Sequence, residues 1–505
     1  MISSGSASSG TSLKAGTTWL VISLITGVSL SSQAVQYHFG DDSSVTTAIK
    51  SQSYLSVGAE SFFSPDYEQS EEKNFSYLGV SFYHLQDEDT LVDAKNNSKD
   101  NTGLNGEIHG QFFSQVPIRS YIDINQLFWE SNEFSVGRQK YNWSQADKDW
   151  SLGVFEPRLT VNPIYPERQG LTGVFAKITS GNTNPSQNFS KDFNKDSSQD
   201  TGKAKTENSQ VPFELLLFGS PVFIPDQGPN YELKNGKFEE ASPYFQTLPT
   251  QARIFDQTQE IKYRLVKPDS NKIIFQQSYA ASLKIASDPS KKYSFSIRAS
   301  TGYMPSSFLS TGVQPFINRQ SNLQIDVQPQ SFYHRVSSLD IEYNWLGLFL
   351  GVSGFKEQNM EPSYEPEWTY FKFDEANGVM PYLGYKNRYF NSRWSYLEVY
   401  GGHSKAIGPK QEEAKNLLPE RFMWRRAHQL QIQTVPVFKR LRLSSTIQRD
   451  LDFDQSLVIF QMDLKFHKYW QLFLGGQALK VGNPQSPMYE LENHDIVFSG
   501  VSYAM

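Results

Sequence analysis

The chain has 505 residues, a formal net charge of −6 and no cysteine. The lack of cysteine excludes disulfides, thiol chemistry, cysteine-based metal sites and a lipid anchor on an N-terminal cysteine. The mild acidity argues against a nucleic-acid surface. Aromatic residues reach 14%, which suits the aromatic girdles of a membrane barrel. The charged fraction of 20% does not exclude such a barrel, because half of each strand and all loops face water.

The N-terminus predicts export. Trp19 to Leu30 is the longest apolar run, and it is too short for a good membrane helix. Lys14 precedes the run and small residues lead to Ala34, which is typical of a signal peptide over 1–34 with cleavage after Ala34. A buried N-terminal helix is the alternative. Residues 35–50 are interpreted as a polar lead-in.

From residue 51 onward, segments of about ten residues alternate apolar and polar side chains. In the hairpin from Asp454 to Val481, for example, Val458 and Phe460 share one parity, and Gln461 and Asp463 share the other. The predicted strands are Ser53–Phe62, Phe75–Leu85, Leu104–Gln115, Arg119–Trp129, Glu133–Lys140, Leu171–Ile178, Val211–Gly219, Glu260–Val266, Ile274–Ile285, Tyr293–Tyr303, Val336–Trp345, Leu346–Phe355, Gln429–Thr434, Lys439–Arg449, the two of the Asp454–Val481 hairpin and about Asp495–Met505, with weaker ones near Ser321–Val327 and Pro381–Phe390.

Alternation alone does not separate a membrane barrel from a soluble sandwich. Repetition in segments long enough to cross a bilayer favours the barrel. We therefore predict an all-β fold, a transmembrane antiparallel β-barrel of about 18 strands (16–20) over 51–505. Long loops are expected at about 86–103, 141–170, 180–210 and 220–255. The direction of the strands stays open, because two of these loops fall on opposite sides.

The last strand resembles the C-terminal strand of outer-membrane barrels. Val497, Val501, Tyr503 and Met505 share one parity, and Tyr503 takes the place of the penultimate aromatic residue. Met505 departs from the usual terminal phenylalanine. The resemblance implies that the barrel-assembly machinery binds this strand.

A second resemblance covers about thirty residues. The strand end Val136-Gly137-Arg138-Gln139, followed by Trp143 and Asp147, is similar to a strand end of porin-like outer-membrane proteins of Gram-negative bacteria. It implies a general porin-like protein in the outer membrane, without a particular substrate. Arg138 itself is ambiguous, because it shares the parity of two apolar residues.

If the apolar faces contact lipid, the polar faces line the lumen. The predicted pore-lining residues are Lys262, Arg264, Lys284, Arg298, Asp340, Glu342, Arg440, Arg442 and Asp463. Lys262, Arg264, Lys284 and Arg298 are expected to form one basic ladder, which predicts a modest anion preference. The alternative is that these charges are merely the solvated or paired side of the barrel wall.

No motif of an enzyme, a nucleotide site or a metal site is present, so no catalytic, cofactor-binding or metal-binding residue is predicted. The leading hypothesis is a passive channel for small hydrophilic solutes, with outer-membrane lipid around it and a homotrimer as one open assembly. The runner-up is an adhesin-like barrel whose long loops bind a partner or surface. The third is a secreted, soluble all-β binding protein.

Overall fold

The structure is a computed structural model of the chain. It describes residues 52–62, 74–83, 103–113, 121–131, 133–160, 162–180, 213–227, 231–240, 250–254, 257–287, 293–317, 323–360, 367–387, 389–408, 420–434, 440–492 and 494–504. The predicted signal peptide, the lead-in over 35–50 and nearly all of the predicted loops at 86–103 and 180–210 lie outside the described residues.

Eighteen strands form one large sheet. They are numbered here in chain order: β1 Gln52–Phe62, β2 Asn74–Tyr83, β3 Gly103–Phe113, β4 Tyr121–Glu130, β5 Phe134–Gln139, β6 Leu171–Ser180, β7 Phe213–Ser220, β8 Ser278–Ala286, β9 Tyr293–Pro305, β10 Tyr333–Trp345, β11 Leu348–Asn359, β12 Ala376–Lys386, β13 Phe390–Gly401, β14 Arg426–Thr434, β15 Leu441–Asp450, β16 Gln455–Lys465, β17 Trp470–Val481 and β18 Ile496–Ala504.

Each strand pairs antiparallel with the next one in the chain, and the sheet closes on itself. The closing pair is β1 with β18, which runs from Tyr54 opposite Ala504 to Phe62 opposite Ile496. A closed ring leaves no open edge in the sheet. The prediction of an all-β antiparallel barrel with 18 strands is confirmed.

The two faces of the wall follow the predicted parity. In β16, Val458 and Phe460 are exposed on the outside, while Leu457, Ile459 and Gln461 are buried on the inside. The outer face carries exposed large apolar side chains on most of its described strands. Among them are Ile122, Val136, Val174, Leu217, Leu283, Ile297, Leu339, Leu350, Leu383, Ile432, Ile447, Phe460, Leu474 and Val497.

The two ends of the barrel differ in their connections. At one end, termed the short-turn end, strands are joined by 131–133, 287–292, 346–347, 387–389, 435–440 and 466–469, and also by two longer connections, 84–102 and 181–212, which lie outside the described residues. At the other, the long-connection end, they are joined by 140–170, 221–277, 306–332, 360–375 and 402–425, and also by the shorter connections 63–73, 114–120, 451–454 and 482–495. Exposed aromatic side chains lie on the outer face near both ends, among them Trp129, Trp345, Tyr469 and Trp470 at the short-turn end and Tyr279, Tyr303 and Tyr400 at the long-connection end.

Four long connections build a separate six-stranded sheet of the strands Gln251–Ile254, Gln257–Leu265, Ser310–Ile317, Leu323–Gln330, Thr369–Phe373 and Ser404–Ile407. The predicted barrel strand Glu260–Val266 and the weaker one near Ser321–Val327 belong to this sheet, so their assignment to the barrel is wrong. Both alternate like barrel strands, because strands in any half-exposed sheet show that pattern. The barrel instead uses β12 and β13, where only Pro381–Phe390 was predicted.

The remaining elements are short. Two-stranded pairs join Arg158–Leu159 to Glu167–Arg168 and Tyr231–Lys234 to Lys237–Glu240. The helix α1 covers Gln145–Trp150, and single 3₁₀ turns cover Ser270–Lys272 and Tyr489–Leu491. In the described part of the chain, no helix is long and apolar enough to cross a membrane.

Candidate constriction of the barrel lumen

The connection 140–170, termed the lumen segment, follows β5, where the alternation of side chains between the two faces breaks at Gly137. Gly137 has φ 133°, and a Cβ at this position would lie 2.3 Å from the carbonyl oxygen of Leu127. This backbone is suited to glycine. Phe134 and Val136 point outward, yet Arg138, on the same parity, is only 7% exposed and points inward. The conformation at Gly137 explains why Arg138 breaks the alternation, which settles its ambiguous position.

Arg138 and Lys140 hold the base of the lumen segment. The guanidinium of Arg138 donates to the carbonyl oxygen of Gly170 at 3.1 Å and to Oε1 of Gln169 at 2.7 Å. Lys140 Nζ lies 3.0 Å from Glu107 on β3 and 3.6 Å from Glu167. Burial by itself would lower the pKa of Lys140, but the two carboxylates outweigh it and raise the pKa. Lys140 therefore stays charged in the wall.

Glu156 ties the two ends of the segment together from within. Its carboxylate accepts the backbone N–H of Tyr141 at 2.5 Å and contacts Nη2 of Arg168 at 2.5 Å. The Glu156 side chain is fully buried, and burial raises its pKa, although Arg168 and the N–H of Tyr141 offset part of this effect. The contacts make the segment a closed loop with its own internal bracing.

Helix α1 is anchored to the wall by β9, β10 and β11. Asp340 on β10 accepts the backbone N–H of Gln145 at 3.1 Å, and Ser353 on β11 accepts that of Ala146 at 2.9 Å. The hydroxyls of Ser300 and Ser338 donate to the carbonyl oxygen of Trp143 at 2.7 and 2.9 Å. Asp340 and Ser353 thus satisfy two of the N–H groups that a helix start leaves unpaired. The segment is therefore fixed to the wall well away from its own strands.

Contacts on other parts of the wall show that the segment crosses the lumen. Arg393 on β13 lies 3.2 Å from the carboxylate of Asp149, and Gln429 on β14 donates to the carbonyl oxygen of Asp149 at 3.2 Å. Farther along the segment, Asn162 donates to Gln477 on β17 at 3.3 Å. The attachment points therefore lie on many strands around the barrel.

Beside these polar contacts, apolar side chains pack between the segment and the wall. Trp143, Trp150 and Phe155 of the segment are each at most 4% exposed and belong to one buried cluster. Trp143 stacks on Phe155 with ring centroids 5.8 Å apart. The wall adds Met380, Leu397, Leu457, Ile459 and Leu479, among others. A packed apolar cluster excludes water, so the lumen is narrower where this cluster lies between the segment and the wall.

A buried charged group fastens the segment from the long-connection end. Nη2 of Arg421 donates to the carbonyl oxygen of Gly153 at 2.6 Å and lies 3.6 Å from Glu357 on β11. Glu357 also contacts Nδ1 of His334 on β10 at 2.7 Å. The side chains of Arg421, Glu357 and His334 are each 1% exposed. The cluster links the lumen segment, the connection 402–425 and the wall.

Three of the predicted pore-lining residues form one row across neighbouring strands. Lys284 is paired in register with Glu214 on β7 and with Arg298 on β9, and Arg298 is paired with Asp340. Arg298 Nη1 lies 3.8 Å from Asp340. The order along this row is acidic, basic, basic, acidic, so Lys284 and Arg298 are neighbours between two carboxylates and the row is mixed, not a purely basic ladder.

Lys262 and Arg264 do not lie on the barrel wall. Their strand Gln257–Leu265 pairs in parallel with Leu323–Gln330 in the six-stranded sheet, and Arg264 forms an ion pair with Asp326. The placement of Lys262 and Arg264 next to Lys284 is therefore wrong. That prediction used the alternating pattern of their strand, which is the same in the six-stranded sheet as in the barrel wall.

The remaining predicted residues lie in the short-turn half of the barrel, termed the vestibule. Glu342 accepts the hydroxyl of Tyr382 at 3.0 Å. Arg442 is exposed on the inward parity of β15, directly opposite Asp463 on β16. Arg440 lies in the preceding turn and is exposed. The exposure of Arg442 shows that the vestibule is open to solvent at this level.

Sequence reasoning missed the residues that fix the segment. Asp149, Arg393, Arg421 and Glu357 carry no local signal, because each contact joins positions far apart in the chain. The tryptophans of the segment were the usable signal, since Trp143 and Trp150 lie in a connection that was predicted to be a loop. Among the residues that the structure describes, no group of three or more His, Asp or Glu could hold a metal ion.

The sequence matches no family model and no curated protein. Among solved structures, the chain is similar to OmpF of Salmonella typhi in complex with daunomycin, with 8% identity over 90% of this chain and 97% of that chain and a TM-score of 0.35. It is similar to OccAB3 of Acinetobacter baumannii, with 9% identity over 90% and 98% and a TM-score of 0.42. OpdK of Pseudomonas aeruginosa with vanillate gives 8% identity over 90% and 98% and a TM-score of 0.41.

Proposed function

We propose that the protein is an outer-membrane channel through which small hydrophilic solutes diffuse passively, with the lumen segment as its constriction. The observation that carries this proposal is the closed ring of eighteen strands with an apolar outer face. A closed barrel is the only strand architecture in which every backbone group in a bilayer is hydrogen-bonded within the sheet. Short turns face the periplasm in such barrels, which would place the long connections outside the cell.

The proposal includes a modest anion preference. Strand alternation turns the basic residues Lys177, Lys284, Arg298, Arg393, Arg442 and Lys465 toward the lumen in the described wall, together with the acidic residues Glu107, Asp123, Glu130, Glu214, Asp340, Glu342, Glu357, Asp450 and Asp463. Lys177 is paired with Glu214 at 3.2 Å and Arg298 with Asp340. The preference therefore rests on the exposed Arg442 and Lys465 and not on an excess of basic groups, and it should be small.

The proposed partners follow from the proposed location of the barrel in the outer membrane. Outer-membrane lipid would surround the apolar face, and the assembly machinery would bind β18, whose Val497 and Tyr503 lie on the outer parity. A signal peptide cleaved after Ala34 would direct the chain to the outer membrane. A homotrimer stays a proposal that size analysis of the folded protein in detergent would test.

A cysteine tether tests whether the lumen segment controls conduction. The hydroxyl oxygens of Ser144 in the segment and Ser353 in the wall lie 3.3 Å apart, which suits a disulfide between cysteines at these positions. The natural chain has no cysteine, so the two introduced cysteines can pair only with each other. In planar bilayers, oxidised Ser144→Cys/Ser353→Cys protein should show a lower or less noisy current than its reduced form. The disulfide would hold the segment against the wall.

The matched control joins two wall strands without the segment. The side-chain oxygens of Thr301 and Ser337 also lie 3.3 Å apart and face outward. Oxidation of Thr301→Cys/Ser337→Cys protein should leave the current unchanged. An effect of the same size in both variants would contradict a role of the segment in conduction.

The second candidate function, a barrel whose long connections bind a partner, is favoured by one observation. Four of these connections form an ordered six-stranded sheet beyond the barrel, and the lumen beneath holds an apolar core. Correctly folded protein that never conducts, with the segment tethered or free, would favour this function over the channel.

A further inference from the structure

A row of polar and basic side chains crosses the outer face of five neighbouring strands at the long-connection end. It is termed the rim row. In strand order from β13 to β17, it consists of Tyr396, His428, Arg449, Ser456 and Lys480, and each residue is paired in register with the next. All five lie on the outer parity of their strands, and Arg449 and Lys480 are exposed.

The row one step closer to the barrel centre has no polar side chain apart from the indole N–H of its tryptophan. It consists of Trp394, Leu430, Ile447, Val458 and Ala478, again paired in register from β13 to β17. Two residues along a strand span about 7 Å. The outer face therefore changes from apolar to basic within that distance, on all of these strands at the same level.

The position of the rim row matches the edge of a bilayer. On β16, the apolar outer side chains run from Val458 to Leu464, and Phe466 lies in the following turn. Ser456 to Phe466 spans roughly 34 Å along the strand at about 3.4 Å per residue, or roughly 26 Å across the bilayer at a tilt of about 40°. The apolar band of such barrels is about 25 Å tall. The rim row therefore lies where lipid headgroups begin.

The basic groups of the row are available to a ligand. Arg449 lies 3.8 Å from Asp454, but both side chains are at least 65% exposed, so this pair is weak. Among the described residues, no carboxylate pairs with Lys480. At the short-turn end, the outer face instead carries Trp470 and Tyr503, whose rings are tilted by 54° with centroids 4.8 Å apart. Beyond the rim row, Arg426 pairs with Asp452 at 2.8 Å, so Arg449 and Lys480 are the basic groups that a ligand at this level can reach.

We propose that the rim row binds the phosphate group of an anionic lipid in the leaflet at the long-connection end. Arg449 and Lys480 flank Ser456, and neighbouring strands lie about 4.8 Å apart. Their long side chains can therefore converge over the Ser456 hydroxyl on one phosphate, while the acyl chains lie on Ile447 and Val458. His428 adds a ring N–H at the edge of this site. The inference rests on the membrane location proposed above and not on conduction.

The test measures lipid binding by native mass spectrometry on folded protein in neutral detergent. The probes are phosphatidic acid, diacylglycerol with the same acyl chains, and inorganic phosphate. Arg449→Gln/Lys480→Gln protein should bind phosphatidic acid about thirtyfold more weakly than the natural chain, because each basic residue near an anionic lipid surface contributes about a factor of five. Diacylglycerol should show no such difference, and inorganic phosphate should not displace the lipid.

The matched control removes two other basic groups from the same rim. Arg335 on β10 and Lys356 on β11 are exposed on the outer parity but lie outside the row. Arg335→Gln/Lys356→Gln protein should bind phosphatidic acid like the natural chain. Equal losses in both variants would overturn the site in favour of diffuse attraction, and displacement by inorganic phosphate would overturn the lipid as its ligand.

Two further outcomes are distinguishable. A change of oligomeric state in Arg449→Gln/Lys480→Gln protein, with lipid binding intact, would make the rim row an interface between copies of the chain and overturn the proposal. If the natural chain is soluble without detergent, the membrane location itself fails, and the lipid site fails with it. Folding of each variant is checked by the shift in gel mobility between unheated and boiled samples.

Discussion

A single backbone angle decides where the lumen segment starts. At Gly137 the chain takes φ 133°, and Arg138 turns into the wall to hold Gln169 and Gly170. An ordinary residue at this position would be strained, because this φ favours glycine. The sequence Val136-Gly137-Arg138-Gln139 thus has a local physical meaning in this chain.

Gly137→Ala should therefore destabilise the protein. The added Cβ would meet the backbone of β4, and alanine would be strained at this φ, at a cost of about 1–3 kcal/mol. Urea unfolding in detergent, followed by tryptophan fluorescence, measures the change in the free energy of unfolding. Gly219→Ala is the control, since the nearest atom to its Cβ would be 3.9 Å away. Equal costs at both positions would refute the role of the backbone angle.

Residues such as Arg138 mark the limit of what the sequence could predict. Its parity was visible, but the angle at Gly137 that reverses it was not. The charges of Lys262 and Arg264 were visible too, and the pattern of their strand is the same in a loop sheet as in a barrel wall. What remained hidden in each case was a contact with a distant part of the chain.

At the scale of the strands, the two faces differ in what they tolerate. Phe460 lies in the middle of β16 and is 44% exposed on the outer face. Its neighbours in register, Ser445 and Gly476, leave the ring open to lipid. The parity of β16 was predictable from its sequence because alternation along one strand is a local property.

Phe460→Arg should cost on the order of 2–4 kcal/mol, because a charge would face hydrocarbon near the bilayer midplane. Gln471→Arg on β17 is the control, since Gln471 has inward parity and is half-buried in the vestibule. Folding into lipid vesicles over a range of urea concentrations gives both free energies. Similar costs for the two variants would show that the outer face does not contact lipid.

The lumen segment shows where element-level prediction ends. Its length and tryptophans indicated a functional or ordered loop, but its fold depends on partners from at least seven barrel strands beyond its own. Asp149 meets Arg393 across more than 240 positions of the chain. No pattern within 140–170 encodes that contact, so the sequence could predict a loop there but not that the loop folds into the lumen.

For the whole molecule, the net charge of −6 is a poor guide to the lumen. In the row Glu214, Lys284, Arg298 and Asp340, the two basic residues lie between two carboxylates, and paired charges cancel at a distance. Arg442 and Lys465 are exposed in the vestibule. These two should dominate the field that a permeating ion meets there.

Arg442→Gln/Lys465→Gln should therefore shift the reversal potential in a salt gradient toward cations. Lys284→Gln/Arg298→Gln, the control, should shift it less, although the change in formal charge is the same. Planar-bilayer recording of both variants measures the difference. A larger shift in the control would mean that the mixed row, and not the vestibule, governs the preference for anions.

The barrel as a whole was the most predictable feature. Each strand carries its own alternation, so most of the eighteen strands could be located even though several bounds were misplaced. Two loop strands were included and one weak segment stood for β12 and β13, so the pattern gave nineteen candidates, and the even number usual in such barrels led to eighteen. The six-stranded sheet was not predictable, because its strands come from four separate connections.

The pairing of β1 with β18 has a consequence for the covalent order of the chain. Tyr54 and Ala504 face each other at the short-turn end, so the first and last strands form a hairpin that lacks only its turn. A linker of a few residues between these two strands would join the first strand covalently to the last. New termini could then be cut at a tight turn such as 346–347 without changing any strand pairing. The order of synthesis and the order of the wall are thus separable, and a circular permutant would reveal which strand must emerge last for insertion.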